Sequence, residues 1–479
     1  MLTLTLAEVA AACRGALVRG DPDTKVDRIV TDSRSAGAGD LFVALRGERF
    51  DGDTYAAAAL AAGAAAAVVR AETAADLPPE AAVLAVEDGL AALQALAAFV
   101  RARSQVRVVG ITGSTGKTST KDILASLLKP VAEVVATRAN FNNEVGLPLT
   151  LLGIEAGTEV AVCELAMRGA GQIRDLARIA RPNVGVITAI APVHIELVGS
   201  IQGVAAAKAE LIEELGPGTA VVPYGERLLA DHVSAHCGRT VTFGKGGDVR
   251  FVETRPERGG THALIDAFSY RASLWFNFSG AHYLTDALAA LAAFLELGYP
   301  VEAAREGAAS VAFSAGRGEI VPLRGDGLLL DDTYNASPVA VRAALDHLVS
   351  LADGRPALAI LGDMFELGPQ AAAYHREVGD YAAGLGVPVA AVGELARHYL
   401  RGAPGGRWFA TVEACVEALP QVVVPGSAVL VKASRGMRLE RVADAVRREL
   451  GASAAEEHAD TTPVSRGDES CAQEQGGPA

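Results

Sequence analysis

One segment constrains this chain more than any other: a glycine-rich loop between a β-branched run and a helix-forming run. The run VRVVGIT ends at residue 112, GSTGKTS occupies 113–119, and KDILASLL follows at 121–128. Glycines let the backbone approach phosphates closely, and the amides at a helix start point toward an anion. The pattern therefore predicts a phosphate-binding loop in which Lys117 reaches the phosphates and the Thr118 hydroxyl binds Mg²⁺.

The loop by itself does not select an activity. The general pattern has four residues between its first glycine and the Gly-Lys pair, which would put a glycine where the chain has Ile111. An ordinary glycine-rich turn between a strand and a helix is the simpler alternative. If a nucleoside triphosphate does bind, motor proteins, GTPases, kinases and ligases all remain open.

Composition narrows the class of protein. The 479 residues are enough for about three domains, and the 50% hydrophobic content excludes wholesale disorder. A net charge of −14 argues against nucleic acid as a partner. The five cysteines are scattered without a CxxC pair, which is typical of a reducing compartment. Since no export signal and no long apolar run is found, we expect a cytoplasmic protein without membrane insertion.

The alternation of strands and helices predicts an α/β chain of three domains. We expect these at 1–103, 104–317 and 318–451, the last a doubly wound Rossmann-like unit, followed by a disordered polar tail at 452–479. Short alternating strands at 240–278 predict an antiparallel insert or a barrel-like appendage.

Further motifs follow the loop in a fixed order. They are NFNNEVGLP at 140–148, Glu164 at the end of VAVCEL, His194, AKAE at 207–210, and the pair Gly316-Arg317. Together with GSTGKTS they resemble the Mur ligase superfamily of ATP-dependent amide-forming enzymes. The resemblance implies a three-domain architecture with a central P-loop ATPase domain and a C-terminal Rossmann-like domain.

Motifs in the first and last domains are similar to one branch of that superfamily. The first domain has DSR at 32–34, GDLF at 39–42 and FDGD at 50–53, which resemble a UDP-sugar-binding module. The last domain has DDTYNASP at 331–338, LGDMFELG at 361–368 and VKASRGM at 431–437. The branch joins D-Ala-D-Ala to UDP-MurNAc-tripeptide. ATP activates the tripeptide carboxylate as an acyl phosphate, which the dipeptide amine then attacks.

The resemblance also implies roles for individual residues. ATP would be bound by Gly113, Ser114, Thr115, Gly116, Lys117, Thr118, Ser119, His282, Asp286, Arg317 and Asp332. Two Mg²⁺ ions are expected, one on Thr118 and Glu164, the other on His194 and a carbamylated Lys208. Catalytic roles fall to Lys117, Lys208, His194, Asn335 and Lys432, and substrate contacts to Ser33, Arg34, Asn142, Asn143 and Tyr334. We expect a monomer.

Three departures from the family pattern keep alternatives open. Ala189 stands where relatives usually have asparagine, Tyr283 and Asp286 replace two asparagines of the adenine segment, and Asp53 stands where a histidine often follows Asp-Gly. The adenine contacts are therefore expected to be altered. Carbamylation requires an unprotonated amine, whereas a lysine on a helix is usually a surface cation. Another Mur-type amino-acid ligase and a catalytically silent nucleotide-binding paralogue are the alternative functions.

Overall fold

The computed structural model describes residues 1–48, 50–193, 195–257 and 259–451. The predictions made for His194 and for the tail at 452–479 therefore lie outside the described residues. Within the described part, three α/β regions follow one another along the chain, as the sequence predicts.

The first region is built on a five-stranded sheet with the order β2-β7-β6-β5-β4. Strands β4 to β7 are parallel, and β2 pairs antiparallel with β7. Helix α4 packs its Leu96 and Val100 into the same core as Leu147 and Leu151 of the next region. The elements are β1 (Leu4–Thr5), α1 (Leu6–Cys13), β2 (Ala16–Arg19), β3 (Lys25–Val26), β4 (Arg28–Val30), β5 (Asp40–Val43), α2 (Ala56–Ala61), β6 (Ala66–Arg70), α3 (Ala71–Ala74), β7 (Val83–Val86) and α4 (Gly89–Arg103).

The middle region is built on a nine-stranded sheet with the order β16-β15-β14-β13-β12-β11-β8-β10-β9. Its elements are β8 (Arg107–Thr112), α5 (Lys117–Leu128), β9 (Val134–Ala136), α6 (Gly146–Leu152), β10 (Val160–Glu164), α7 (Gln172–Ala180), β11 (Val184–Ile187), α8 (Ile195–Val198), α9 (Ile201–Glu213), β12 (Thr219–Pro223), α10 (Ala230–Ala235), β13 (Thr240–Phe243), β14 (Val249–Glu257), β15 (Gly260–Ala267), β16 (Tyr270–Phe276), α11 (Ala281–Glu296) and α12 (Arg305–Ala309).

The structure of the segment at 240–278 differs from the predicted antiparallel insert or barrel-like appendage. Its last three strands are antiparallel, as expected, but they form neither an insert nor a barrel. Strand β13 pairs parallel with β12, and β14 continues from β13, so the segment extends the middle sheet. Its inward side chains, including Phe243, Ile265 and Phe276, belong to the core that also contains Val109 and Ile111. Burial against helix α11 therefore joins it to the main sheet.

The last region is a six-stranded sheet with the order β17-β18-β22-β19-β20-β21. All pairs are parallel except β17 with β18, which is the arrangement of a doubly wound domain with one antiparallel edge. The short edge strands β17 and β21 were not predicted. The elements are β17 (Glu319–Leu323), β18 (Gly327–Asp331), α13 (Pro338–Ala352), β19 (Ala357–Gly362), α14 (Ala371–Gly384), β20 (Val389–Val392), α15 (Tyr399–Gly402), β21 (Arg407–Phe409), α16 (Val412–Val422), β22 (Ala428–Lys432) and α17 (Glu440–Leu450).

Two properties of the whole described chain bear on the sequence predictions. None of the described helices combines the length and the apolar character that a membrane crossing requires. Among the cysteines of the described residues, Cys13, Cys163, Cys237 and Cys415 are free thiols.

Candidate active site

The glycine-rich loop lies where the strand order of the middle sheet reverses. Strand β8 ends at Thr112, with β10 on one side and β11 on the other. The chain then passes through residues 113–116 and enters α5 at Lys117. Ligands of open α/β sheets bind at such switch points, outside the carboxyl ends of the strands. The simpler alternative of an ordinary turn does not explain why other polar side chains meet this loop.

Two glycines of the loop are required by its geometry. Gly113 has φ +153° and Gly116 has φ +81°. A Cβ at Gly113 would collide with the Thr188 hydroxyl, and one at Gly116 would collide with the Asp286 carboxylate. Both positions therefore need the small residue that the sequence has.

Backbone groups of the segment after β11 hold the loop from the other side. The Ser114 N–H donates to the Ala189 carbonyl oxygen at 2.8 Å, and the Ala191 N–H donates to Ser114 Oγ at 2.9 Å. The Thr188 hydroxyl donates to the Thr115 carbonyl oxygen. Alanine at 189 therefore still supports the loop, because the contact is made by its backbone. Sequence reasoning missed Thr188, which lies far from the loop along the chain.

The first turn of α5 meets the end of β10. Thr118 Oγ1 donates to Glu164 Oε2 at 2.9 Å, and Asn142 Nδ2 donates to Glu164 Oε1 at 2.9 Å. Arg317 Nη2 donates to Thr118 Oγ1 at 3.0 Å. Glu164 is only 2% exposed, so the alternative of a solvated carboxylate is wrong. Four residues from separate parts of the chain thus converge beside the loop.

This donor set suits one kind of metal ion. A hydroxyl and a carboxylate are hard oxygen ligands, which Mg²⁺ uses together with substrate phosphates and water. Among the described residues, no group of three His, Cys, Asp or Glu side chains could hold a metal without further ligands. The residues present therefore fit Mg²⁺ that is bound jointly by the chain and a nucleotide.

Two lysines in this region have lowered pKa values. Lys117 Nζ donates to the Gly113 carbonyl oxygen at 2.8 Å, and burial lowers its pKa against the opposing effect of Glu164. Lys208, on α9, is 2% exposed. Burial, assisted by the charge of Lys117, lowers the pKa of Lys208 well below its usual value. Lys208 is therefore not the surface cation that a helical lysine usually is.

The start of α11 faces the loop with the two unusual residues. Burial raises the pKa of Asp286 well above its usual value, although Arg317 and a hydrogen bond from Ser119 favour the charged form. The neutral acid can donate a hydrogen bond, as an amide would. Tyr283 is buried, and its ring centroid lies 4.9 Å from that of Phe313. Tyr283 therefore packs in the hydrophobic core. Burial lowers the pKa of the neighbouring His282 to about 3.

The third domain contributes a buried ion pair. Lys432, at the end of β22, lies 2.5 Å from Asp332 Oδ2 and also donates to the Asn335 carbonyl oxygen at 3.0 Å. Both charged side chains are almost fully buried. The adjacent Tyr334 ring contacts two guanidinium groups, with Arg317 at 3.9 Å and Arg435 at 5.7 Å from its centroid. Tyr334 thus connects the third domain to the phosphate loop.

Most of these groups line a cavity of about 990 Å³ between the middle and last regions, to which Gln94 of the first region also contributes. Of the predicted residues, the cavity brings together Ser114, Thr115, Gly116, Lys117, Thr118, Ser119, Asn142, Asn143, Glu164, His282, Asp286, Arg317, Asp332, Tyr334, Asn335 and Lys432. Gly113 and Lys208 are not among the residues that line it. Ser33 and Arg34 lie in the first domain away from the cavity, where Arg34 pairs with Asp32 at 2.6 Å.

Comparison with known sequences identifies the family. The Mur ligase middle domain matches residues 111–294, the Mur ligase, glutamate ligase domain matches 316–435, and the Mur ligase family, catalytic domain matches 25–101. A UDP-N-acetylmuramoyl-tripeptide–D-alanyl-D-alanine ligase of Synechocystis sp. is 37% identical over 433 residues, which cover 88% of this chain and 92% of the relative. The chain belongs to the Mur ligase family.

Other members support the same placement. Ligases of the same name from Bacillus subtilis and Escherichia coli are each 32% identical and cover 92% and 93% of this chain. A crystal structure of MurF from Acinetobacter baumannii superposes with TM-score 0.84 at 31% identity, covering 93% of this chain and 99% of the other. MurF ligase from Thermotoga maritima in complex with ADP gives TM-score 0.79 at 31% identity, covering 88% and 98%. The predicted Mur ligase architecture is confirmed.

Proposed function

We propose that this chain is the ATP-dependent ligase that joins D-alanyl-D-alanine to UDP-N-acetylmuramoyl-tripeptide in peptidoglycan precursor synthesis. The observation that most strongly supports this function is the cavity that the phosphate loop and Glu164 line together with the Asp332–Lys432 pair of the third domain. Transfer of the γ-phosphoryl group of ATP to the tripeptide carboxylate gives ADP and an acyl phosphate. Attack by the dipeptide amine then forms the amide and releases phosphate.

The chain's main task in this reaction is positioning and charge neutralisation. Lys117 and Arg317 would contact phosphate oxygens. Arg317 Nε is buried and has no hydrogen-bond partner among the described residues, which supports this role. A phosphate oxygen would satisfy that buried donor. Thr118 and Glu164 would hold Mg²⁺, which would neutralise charge on the β- and γ-phosphates. The loop amides from Gly113 to Ser119 would bind the same phosphates, except that of Ser114, which donates to the Ala189 carbonyl oxygen.

Lys208 is proposed to carry a carbamate. Its neutral amine would add to CO₂ with loss of a proton, and the resulting carboxylate-like group would help His194 hold a second Mg²⁺. The burial of Lys208 and its lowered pKa support this, because only the unprotonated amine reacts. Mass spectrometry of the intact protein under CO₂ should find the added group, and Lys208→Met should abolish it.

Further roles are proposed for the remaining predicted residues. Tyr334, Asn335 and Lys432 would approach the reacting centre, and Asn142 and Asn143 would contact the tripeptide substrate. His282, Asp286 and Asp332 would surround the rest of the nucleotide, while Ser33 and Arg34 would bind the UDP-sugar in the first domain. Domain limits at 103, 317 and 451, a monomeric state and a cytoplasmic location complete the proposal.

Phosphate release tests the function. Purified protein with ATP, Mg²⁺ and UDP-MurNAc-tripeptide should release phosphate only when D-Ala-D-Ala is added, and should yield the pentapeptide. A panel of single amino acids in place of the dipeptide distinguishes another Mur-type ligase. Binding of ADP without phosphate release under any of these conditions would instead support the silent paralogue that Ala189, Tyr283 and Asp286 suggest.

A further inference from the structure

The segment that joins the middle and last domains is fastened along helix α5. Both backbone groups of Val311 pair with the Asn277 side chain, at 3.1 and 3.0 Å. The Ala312 N–H donates to Ser126 Oγ at 3.3 Å. Ser314 is then held by Asp122, which like Ser126 belongs to α5. Three anchors within four residues fix the course of this segment.

Asp122 is the strongest of these anchors. Its Oδ2 accepts from the Ser314 N–H at 2.8 Å, and its Oδ1 accepts from Ser314 Oγ at 3.0 Å. Lys121 Nζ lies 2.7 Å from Oδ1 and also donates to the Thr137 carbonyl oxygen at 3.1 Å. Asp122 and Lys121 are 8% and 4% exposed. A buried carboxylate with this many donors is a rigid point of attachment.

The same helix receives the other end of the segment. Arg317, three residues after Ser314, donates to Thr118 Oγ1 at 3.0 Å. Thr118 and Asp122 are four residues apart, so they lie on one face of α5. Gly316 and Gly318 have φ values of +69° and +66°, which turn the chain sharply on both sides of Arg317. The position of Arg317 is thus set by these two contacts with α5 together with the Tyr334 ring, whose centroid lies 3.9 Å from the guanidinium.

We propose that Asp122, acting through Ser314, is a positioning residue that fixes the Arg317 guanidinium at the γ-phosphate. Asp122 does not line the cavity that the described residues enclose, so it influences the reaction only through other groups. The proposal rests on the proposed function for the contact between Arg317 and the transferred phosphoryl group. It adds a residue whose role is neither nucleotide nor metal binding.

The expected effects follow from geometry. Asp122→Ala frees Ser314 and lets Arg317 depart from its place, so kcat should fall at least ~10-fold, since small misplacements of charge-stabilising groups are costly. Ser314→Ala keeps the backbone hydrogen bond to Asp122 but removes the two that the hydroxyl makes, to Asp122 Oδ1 and from Lys121 Nζ. It should lower kcat by about threefold. Ser314→Thr keeps both donors and should restore activity. The KM for D-Ala-D-Ala should change little in each variant.

The matched control is Ser310→Ala. Its hydroxyl donates to the Glu306 carbonyl oxygen at 2.9 Å, and the residue is exposed. The same chemical change four residues before Ser314 should leave kcat, nucleotide affinity and the unfolding temperature unaltered. If Asp122→Ala fails to fold, the comparison of Ser314→Ala with Ser314→Thr and Ser310→Ala still tests the proposal.

The deciding experiment combines these variants with Arg317→Ala in the full-length protein. Calorimetry should measure the affinity for AMP-PNP relative to ADP, which reports the γ-phosphate contact without turnover. Asp122→Ala should lower this ratio, but should add less than twofold to the loss that Arg317→Ala causes. If the losses caused by Asp122→Ala and Arg317→Ala multiply in the double variant, the proposal is overturned. It is also overturned, in favour of a structural role, if Asp122→Ala leaves the ratio unchanged and only lowers the unfolding temperature. A wild-type chain that binds both nucleotides but releases no phosphate would contradict the proposed function and leave this ratio as the test.

Discussion

At the scale of single residues, the site depends on charges buried in pairs. Lys432 and Asp332 lie 2.5 Å apart and are 3% and 7% exposed. Removal of one partner leaves the other buried without compensation, which is strongly unfavourable, whereas removal of both is much less costly. The two residues are therefore coupled in their effect on stability.

A double-mutant cycle should expose this coupling. We expect Lys432→Met to lower the free energy of unfolding by ~3 kcal/mol, because Asp332 then lacks its counter-charge. Adding Asp332→Asn should recover most of that loss, although activity stays low. Urea unfolding of the four proteins measures the cycle, and additive losses would show that the pair is not coupled.

His375 gives a pH prediction. It is fully buried, and its Nε2 accepts from the Met364 N–H at 3.0 Å while Nδ1 pairs with the Ala371 carbonyl oxygen. Burial is the main cause that lowers its pKa from 6.5 to about 4. The unfolded chain therefore binds more protons between these values, and the contribution of His375 to stability falls as the pH drops from 6.5 to 4.

The size of that effect can be measured against His375→Gln. The pKa difference corresponds to ~3 kcal/mol, so the advantage of the wild type over the variant should shrink by that amount between pH 7 and pH 4. Other buried histidines titrate equally in both proteins and cancel in the difference. A constant difference between the two unfolding free energies across this range would contradict the neutral state of folded His375.

At the scale of elements, the phosphate loop tolerates no side chain at Gly116. Alanine there would combine the left-handed backbone with a collision against Asp286. We expect Gly116→Ala to fold but to weaken ADP binding at least ~10-fold, since the loop must move. Gly157→Ala is the control, because nothing lies within 4 Å of a Cβ at that position. Equal ADP affinities in calorimetry would contradict the required geometry.

The elements also show what the sequence can and cannot predict. The loop, helix α5 and strands β18, β19 and β22 were predicted because their signals are local: a glycine pattern, β-branched runs and flanking turns. The contacts of Thr188 with Thr115 and of Asp122 with Ser314 were not predicted. They join residues distant in sequence, and a serine or threonine carries no mark of its partner. Strands β17 and β21 were not predicted for the same reason, because a short edge strand is defined by its pairing with a neighbouring strand.

At the scale of the whole molecule, residues of all three regions line the cavity, and most of them belong to the middle and last regions. Besides Arg317, the Ser279 hydroxyl and His347 Nε2 meet at 2.9 Å across the boundary between the middle and last domains. Because the phosphate loop and the Asp332–Lys432 pair come from different domains and line the same cavity, we expect closure about a hinge at 317–327. The radius of gyration from X-ray scattering should decrease with AMP-PNP, Mg²⁺ and UDP-MurNAc-tripeptide. Identical profiles with and without these ligands would count against closure.

The central claim is that the cavity activates a carboxylate by phosphorylation before the amide forms. It is tested most directly with UDP-MurNAc-tripeptide whose reacting carboxylate carries ¹⁸O in both oxygens. After turnover with ATP and D-Ala-D-Ala, we expect one ¹⁸O in each released phosphate and one in the new amide. Product whose released phosphate carries no ¹⁸O would contradict the acyl phosphate and the mechanism built on it.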